Sequence, residues 1–388
     1  MNNCMIRRFL FIVTILIFGL LPLRSQERQK MITLNGYLTT MQSAIFDSLS
    51  GPVLHDNLLH NRLNFKGYVN DHITFAAEFR NRLFTGDMVR SNPSYAEQTG
   101  TDNGLADMSW NLISKNSFLL NTTLDRLWVD LNYGKFEATI GRQRINWGQT
   151  FVWNPNDIFN AYSFFDFDYA ERPGSDAVRL QYFPSSSSAV ELAVKSDSEQ
   201  DITAAGLFRF NKWGYDIQFL SGIVNSEDFV VGTGWSGAVG SIAFRGEGSW
   251  FVPVEANTAS GDQVLLTVGF DKVFSNSSMA QVQVMYCNSP INFININSLY
   301  SGDLSSKDLA FSRFSAFGQF TWATTPLLNM SLSGMWFPDL KGYFAGPSID
   351  YSLAENVGFS LIWQHFTSET GGNKSRINLA FLRIKYSF

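Results

Sequence analysis

The chain ends on a segment in which Leu382, Ile384, Tyr386 and Phe388 share one face of an extended strand, and Arg383, Lys385 and Ser387 share the other. Side chains on a strand alternate between faces with a period of two, so this segment is apolar on one side and polar on the other up to its last residue. The same period recurs along the chain. Leu59, Leu63 and Phe65 alternate with His60, Arg62, Asn64 and Lys66, and Phe75, Ala77 and Phe79 with Thr74, Glu78, Arg80 and Arg82. Leu127, Val129 and Leu131 alternate with Arg126, Trp128 and Asp130; Val178 and Leu180 with Arg179 and Gln181; Val282 and Val284 with Gln281 and Gln283. No segment holds a capped helical period. Backbone placed in hydrocarbon must satisfy its hydrogen bonds internally, so strands of this kind can cross a membrane only as a closed barrel. A soluble sandwich or β-helix is the alternative, but it gives no reason for an apolar face that runs out to an aromatic last residue. The fold expected is all-β: a transmembrane antiparallel barrel of the outer membrane, with Ile384, Tyr386 and Phe388 as its C-terminal insertion signal.

Composition fits. Charged residues make up 16% and aromatics 15%, with 35 Phe, whereas a soluble domain carries about a quarter charged residues. Mean hydropathy is −0.05, as expected when an apolar outer face averages with a polar inner one. The net charge of −5 lacks the basic excess that nucleic acid would require. Arg7 and Arg8 followed by the apolar run Phe9 to Leu23 read as a signal peptide over residues 1–25, the run being short for a membrane span. Cys287 is then the only cysteine of the remaining chain, which excludes an internal disulfide. Residues 26–388 read as one barrel, with no plug domain before the first strand near Ile32.

Connections fall into two lengths that largely alternate. Short ones lie near 70–71, 133–135, 185–188, 211–213, 274–277, 324–327 and 353–356. Long ones lie near 47–56, 84–117, 146–174, 252–261, 289–308 and 368–374. Short periplasmic turns and long outer loops are the barrel pattern, and the count comes to about 18 strands. The stretch 228–251 is the weak point, because Gly232, Gly234, Gly237, Gly240, Gly246 and Gly248 blur its alternation. Read as one strand, it makes 16 the alternative.

One constellation stands out. From Gly141 the chain runs Gly-Arg-Gln-Arg-Ile-Asn-Trp-Gly-Gln-Thr-Phe-Val-Trp-Asn-Pro-Asn-Asp-Ile-Phe-Asn, then reaches Phe164-Phe165-Asp166-Phe167-Asp168-Tyr169 and Glu171-Arg172-Pro173-Gly174. Gly148 and Pro155 break any strand. A loop this aromatic is costly in free water, so it is expected to fold into or across the barrel, with Trp153, Phe159, Phe164 and Phe165 packed. Arg142, Arg144, Asn146, Trp153, Asp157 and Arg172 are the expected constriction, the arginines facing Asp157, Asp166 and Asp168. Such a transverse field selects by charge and dipole. The structural alternative pairs Arg142 and Arg144 with Asp130, Glu137 or Glu78 in the wall. Arg62, Lys66, Glu78, Arg80, Arg82, Arg126, Asp130 and Arg179 are expected to face the lumen.

This stretch resembles a segment of poorly characterised porin-like β-barrels of the outer membrane of Gram-negative bacteria, distantly similar to alginate-export and phosphate-selective porin types. The resemblance covers Gly141 to Asn160 and Glu171 to Gly174, besides the barrel pattern and the C-terminal aromatic. It implies a single-chain barrel that moves a solute passively or coupled to a partner, and names no solute. Glu78, Asp130 and Glu191 among the arginines argue against a conduit for anionic polymer alone. Abundant aromatics and sparse lysines are in the style of Bacteroidota outer-membrane proteins.

Enzymatic readings find little support. A phospholipase-type site needs His and Ser together on the lipid face, and Ser360 faces away from His365. His55 with Asp47 or Asp56 is a weak match to an omptin-type site. Two carboxylates at Asp166 and Asp168 fall short of the six or more oxygens calcium takes. No cofactor or metal is expected. Three functions follow: a channel for a small or linear hydrophilic solute; a non-conducting barrel serving surface assembly or a partner; and a hydrophobic-solute transporter opening laterally at Gly232–Gly248. The expected partners are outer-membrane lipid, the barrel-assembly machinery during insertion and the solute, with a periplasmic or surface protein left open.

Overall fold

The computed structural model describes residues 31–48, 50–166, 169, 171–255, 261–291 and 304–388. The expected signal peptide and Asp168 lie outside the described residues. The strands are β1 (Ile32–Phe46), β2 (Val53–Asn70), β3 (Ile73–Gly86), β4 (Ser109–Lys115), β5 (Phe118–Tyr133), β6 (Phe136–Gln143), β7 (Ser175–Ser185), β8 (Ser188–Ser196), β9 (Ile202–Lys212) and β10 (Tyr215–Val224). They continue as β11 (Asp228–Val239), β12 (Ile242–Pro253), β13 (Gln263–Val273), β14 (Met279–Cys287), β15 (Phe314–Thr325), β16 (Leu328–Phe337), β17 (Gly342–Ala354), β18 (Val357–Thr370) and β19 (Asn373–Ser387). Two short helices, α1 (Asp87–Ser91) and α2 (Tyr95–Gly100), follow β3.

Every pairing is antiparallel and joins strands consecutive in the chain, save β3 with β5 and the closing pair β1 with β19, and the sheet closes. β1 pairs β2 from Ile32 opposite Gly67, and β19 from Tyr37 opposite Ser387. Gly36 and Phe388 exchange two backbone hydrogen bonds of 2.9 Å at the seam. β5 pairs β3 along one edge from Phe118 to Leu131, while its other edge carries β4 over Phe118–Thr123 and β6 over Leu127–Tyr133. β4 and β6 therefore stack end to end in one position, and the barrel has 18. β11 and β12 are two strands paired without a break from Asp228–Pro253 to Val239–Ile242. This removes the 16-strand alternative and leaves no parted wall at the glycines.

The outer surface is apolar, as the alternation requires. Leu127, Val129, Val178, Leu180, Leu192, Val194, Val282, Val284, Leu382 and Ile384 are all exposed. Exposed aromatic residues flank this band: Tyr133, Phe136, Trp213, Tyr386 and Phe388 at the end of the short turns, and Trp110, Phe314, Trp336 and Tyr343 at the end of the long loops. Aromatic girdles of this kind sit at the two interfaces of a membrane.

The inner surface divides in two. Towards the turns it is polar, with Lys66, Asp130, Arg179, Arg245, Asp271, Gln281 and Thr321. Towards the loops it is apolar on β10–β18, with Val224, Val230, Phe251, Leu265, Met285, Phe317, Met335, Phe337, Phe344 and Phe366 in one buried cluster.

Three sequence readings change. The connection expected over 84–117 contains α1, α2 and β4, because Asn111, Ser109 and Asn121 bond one another along a short hairpin. The strand expected from 309 starts at Phe314. The long connection expected at 368–374 shortens to a turn at Gly371 and Gly372, both at positive φ.

Candidate functional site

The described residues of 144–174 leave the end of β6 and cross the interior. They begin at one wall. The Trp147 indole donates to Glu191 (3.1 Å), and Gln218 donates to the Trp147 carbonyl (2.6 Å). Glu247 accepts from the Thr150 hydroxyl (2.7 Å) and the Gln149 amide (3.2 Å). Gln283 accepts from the Val152 amide (3.0 Å) and donates to the Trp153 carbonyl (3.1 Å). Ser249 donates to the Pro155 carbonyl (2.9 Å), and the Asn156 amide donates to the Thr233 carbonyl (2.9 Å). Here the glycines of β11 have their reason. A Cβ at Gly232 would lie 2.6 Å from Asn156 Oδ1, and one at Gly234 3.1 Å from Asn156 Nδ2. The apolar side chains Trp147, Val152, Trp153, Ile158, Phe159 and Phe165 join the buried cluster.

The segment then reaches the opposite wall. Gln364 of β18 donates to the Phe165 carbonyl (3.3 Å). The Tyr169 hydroxyl donates to Asp125 of β5 (2.5 Å), and the Tyr37 hydroxyl of β1 to Glu171 (3.1 Å). Arg126 donates to the carbonyls of Glu171 (2.9 Å) and Arg172 (2.6 Å). Arg62, fully buried, forms ion pairs with Asp125 and Glu78 and approaches Glu171 at 3.8 Å. Burial, with the Asp125 charge second, pushes the Tyr169 hydroxyl above its ordinary range.

Between the two walls the segment presents a partly exposed edge built around Tyr162. Arg172 stacks on the Tyr162 ring at 3.8 Å and Arg144 lies 5.5 Å from its centre. Arg172 also donates to the carbonyls of Ser163 (3.3 Å) and Asp166 (3.1 Å), and burial lowers the pKa of its guanidinium. Arg144 sits 3.6 Å from the buried Asp157. Burial, opposed by Arg144, raises the Asp157 carboxyl to about 7. Nearby, Arg245 of β12 lies over the Phe151 ring at 4.2 Å and pairs with Asp271 at 2.9 Å.

Of the six residues expected at a constriction, Arg144, Asp157 and Arg172 thus gather at Tyr162. Trp153 lies in the apolar cluster, and Asn146 is exposed at the start of the segment. Arg142 is the correction. Its guanidinium is enclosed by Asp176 (2.7 and 2.8 Å), Asp102 (2.6 Å) and the Ala106 carbonyl (2.7 Å). It fastens the loop before β4 to the start of β7 and offers no free charge. Nor are its partners the Asp130, Glu137 or Glu78 weighed from the sequence.

The residues expected to face the lumen make the following contacts. Arg80 stacks on Tyr169 at 3.8 Å, Arg82 donates to Asn121 (2.8 Å), and Lys66 lies 5.7 Å from the Trp128 ring centre. Asp130 accepts from Thr139 (2.9 Å), and Arg179 pairs with Glu191 at 2.6 Å. His55 donates its backbone amide to Asp87, and Asp56 accepts from the Met88 amide, so both serve the start of α1. Sequence reasoning missed Asp125, Tyr162, Asp176 and Glu247. For Asp125 a signal was present: its parity places a charge among Leu127 and Val129 on the lipid face.

No family model matches the chain, and no curated protein matches it. Solved structures do. The chain is similar to the crystal structure of Pseudomonas aeruginosa OpdQ, with TM-score 0.57 and 12% identity over 92% of this chain and 99% of that one. For P. aeruginosa OccD3 (OpdP) the TM-score is 0.58 and the identity 10%, over 95% of each chain. For Acinetobacter baumannii OccAB2 they are 0.58 and 11%, over 92% and 98%. At these identities the likeness is one of fold.

Proposed function

We propose that this chain is an outer-membrane channel that passes a small or linear hydrophilic solute through a lumen narrowed by residues 144–174. The observation that supports this most is the way the segment spans the interior. It is fixed on β8, β10, β11, β12 and β14 at one side and on β1, β2, β5 and β18 at the other, with Arg144, Tyr162 and Arg172 left partly exposed between. A rigid charged edge inside a barrel is a selectivity element that needs no chemistry. The apolar belt and its aromatic rims suit a bilayer, with the short turns and both termini on the periplasmic side. Arginine predominates at the edge, so anionic or dipolar solutes are favoured. The finer likeness to alginate-export and phosphate-selective types rests on Gly141–Asn160 and Glu171–Gly174, with the barrel pattern and the C-terminal aromatic. In this reading the assembly machinery takes Ile384, Tyr386 and Phe388 as its insertion signal.

Purified protein in a planar bilayer is expected to give stepwise conductance with a mild anion preference. Folded, reconstituted protein that stays silent refutes the channel. One observation favours the sealed-barrel reading: the apolar cluster fills the loop-end interior on one side. The same recording decides between the two.

A further inference from the structure

We propose that Asp125 is a latch: a positioning residue, delivered to the lumen by a β-bulge, that holds the returning end of the inserted segment and thereby sets the width of the passage. This rests on the channel reading above.

Opposite β5, Glu78 faces Arg126 and Phe79 faces Leu124, which leaves Asp125 as one extra residue. Without the bulge Asp125 would share the outer face with Leu127 and Val129, each 42% exposed; with it, Asp125 and Arg126 are both 6% exposed and both point inward. A bulge gives up part of a backbone ladder to re-aim a side chain. Here it re-aims two at one target. Asp125 binds Arg62 through one oxygen and the Tyr169 hydroxyl through the other. Arg126 holds the carbonyls two and three residues further along the segment. Tyr169 in turn carries the Arg80 guanidinium on its ring.

Three arginines, 62, 80 and 126, are thus gathered with three carboxylates, Glu78, Asp125 and Glu171. Remove Asp125 and the cluster carries a net positive charge in a buried site, while the Tyr169 hydroxyl loses its acceptor. Arg172 connects this cluster to the passage. Its carbonyl is held by Arg126, and its guanidinium lies on Tyr162, the ring that also faces Arg144. Loosening residues 169–174 therefore moves the exposed edge.

The test uses the full chain with Asp125→Asn, which keeps the shape and removes the charge, and Tyr169→Phe, which keeps the ring and removes the hydroxyl. Heat-modifiable mobility on gels checks that each barrel is folded. Single-channel current is expected to rise about twofold, or open-channel fluctuation about tenfold, in both variants, with Asp125→Glu returning towards native. A second readout is independent of conduction. A cysteine at Ser163→Cys, in a Cys287→Ser background, should react faster with a water-soluble maleimide when Asp125→Asn is added. Folded variants whose currents superimpose on native overturn the latch. If native protein is silent, faster labelling supports the latch while the channel reading falls, and equal labelling overturns both.

Discussion

Arg142 and Arg144 are two residues apart and carry the same charge, yet their surroundings demand different outcomes when each is replaced by methionine. The Arg142 side chain is 6% exposed and its ion-pair partners Asp102 and Asp176 10% each. All three of its nitrogens donate, to four acceptor atoms at 2.6–2.8 Å. Removing one partner of a buried pair costs about 3–5 kcal/mol, because the other charge is left uncompensated. Water can reach the two aspartates to a small extent, so a loss of about 2–4 kcal/mol is expected for Arg142→Met. The Arg144 side chain is 24% exposed and reaches Asp157 only at 3.6 Å. Asp157 can also answer its loss by keeping a proton, so Arg144→Met should cost about 1 kcal/mol or less.

Conduction should rank the two the other way. The reversal potential in a salt gradient should shift towards cations for Arg144→Met and stay unchanged for Arg142→Met. Stability would be read from denaturant unfolding in lipid vesicles by tryptophan fluorescence. An Arg142→Met protein as stable as native would refute the enclosure argument. A reversal potential that moves as far as that of Arg144→Met would show that the Arg142 charge reaches the lumen after all.

Two further outcomes follow from the same segment. Native Asp157 holds its proton up to about pH 7, whereas the unfolded chain releases it near 3.8. The folded state therefore binds more protons in that window, and the stability contributed by this group is present below about pH 4 and lost as pH rises to 7, on the order of 4 kcal/mol. Asp157→Asn should flatten that part of the native pH–stability curve; an unchanged slope would show that burial does not hold the proton. Gly232→Ala places a Cβ 2.6 Å from Asn156 Oδ1 and 2.8 Å from Leu220 Cγ, an overpacking expected to cost about 1–3 kcal/mol. Gly318→Ala, with nothing within 4 Å, should be within about 0.5 kcal/mol of native in the same assay, and equal losses would refute the close-approach reading.

Most of the wall was legible because lipid and water impose opposite chemistry on successive residues. Val282, Gln283 and Val284 can be assigned to faces without any knowledge of their neighbours. What escaped is what the period does not encode. β4 is a short strand, Ser109 to Lys115, whose pairing depends on Asn111 and Asn121 meeting across a turn. The partners of Arg142 come from positions 40 and 34 residues away, separations that no local pattern reports. Asp125 was hidden by a rule applied too strictly: a charge at lipid-facing parity is itself the mark of a bulge. The crossing of residues 144–174 was signalled by its aromatic content, but which arginine stays open to water depended on where Asp102 and Asp176 fall.

The apolar half of the inner face carries a further consequence. Strands β12, β13 and β16 are apolar on both faces at the loop end: Trp250 and Phe251, Leu266 and Leu265, Trp336 and Phe337 point alternately out and in. Inward-facing Phe251, Leu265 and Phe337 would be costly against a water-filled lumen, so such double-sided strands require something apolar to cover them. Trp147, Val152, Trp153 and Ile158 share their buried cluster with Leu309, Ala310 and Phe311, and Phe311 packs on Phe337 at 6.0 Å. Once those side chains are committed to the wall, the polar edge at Arg144, Tyr162 and Arg172 has to face the remaining open space. The aromatic and the charged residues of the segment thus act together: burial of the first fixes the orientation of the second. On the channel reading proposed above, Arg179, paired with the buried Glu191 at 2.6 Å, lies on the polar half nearer the turns, and the narrowing falls in the half where the interior is driest.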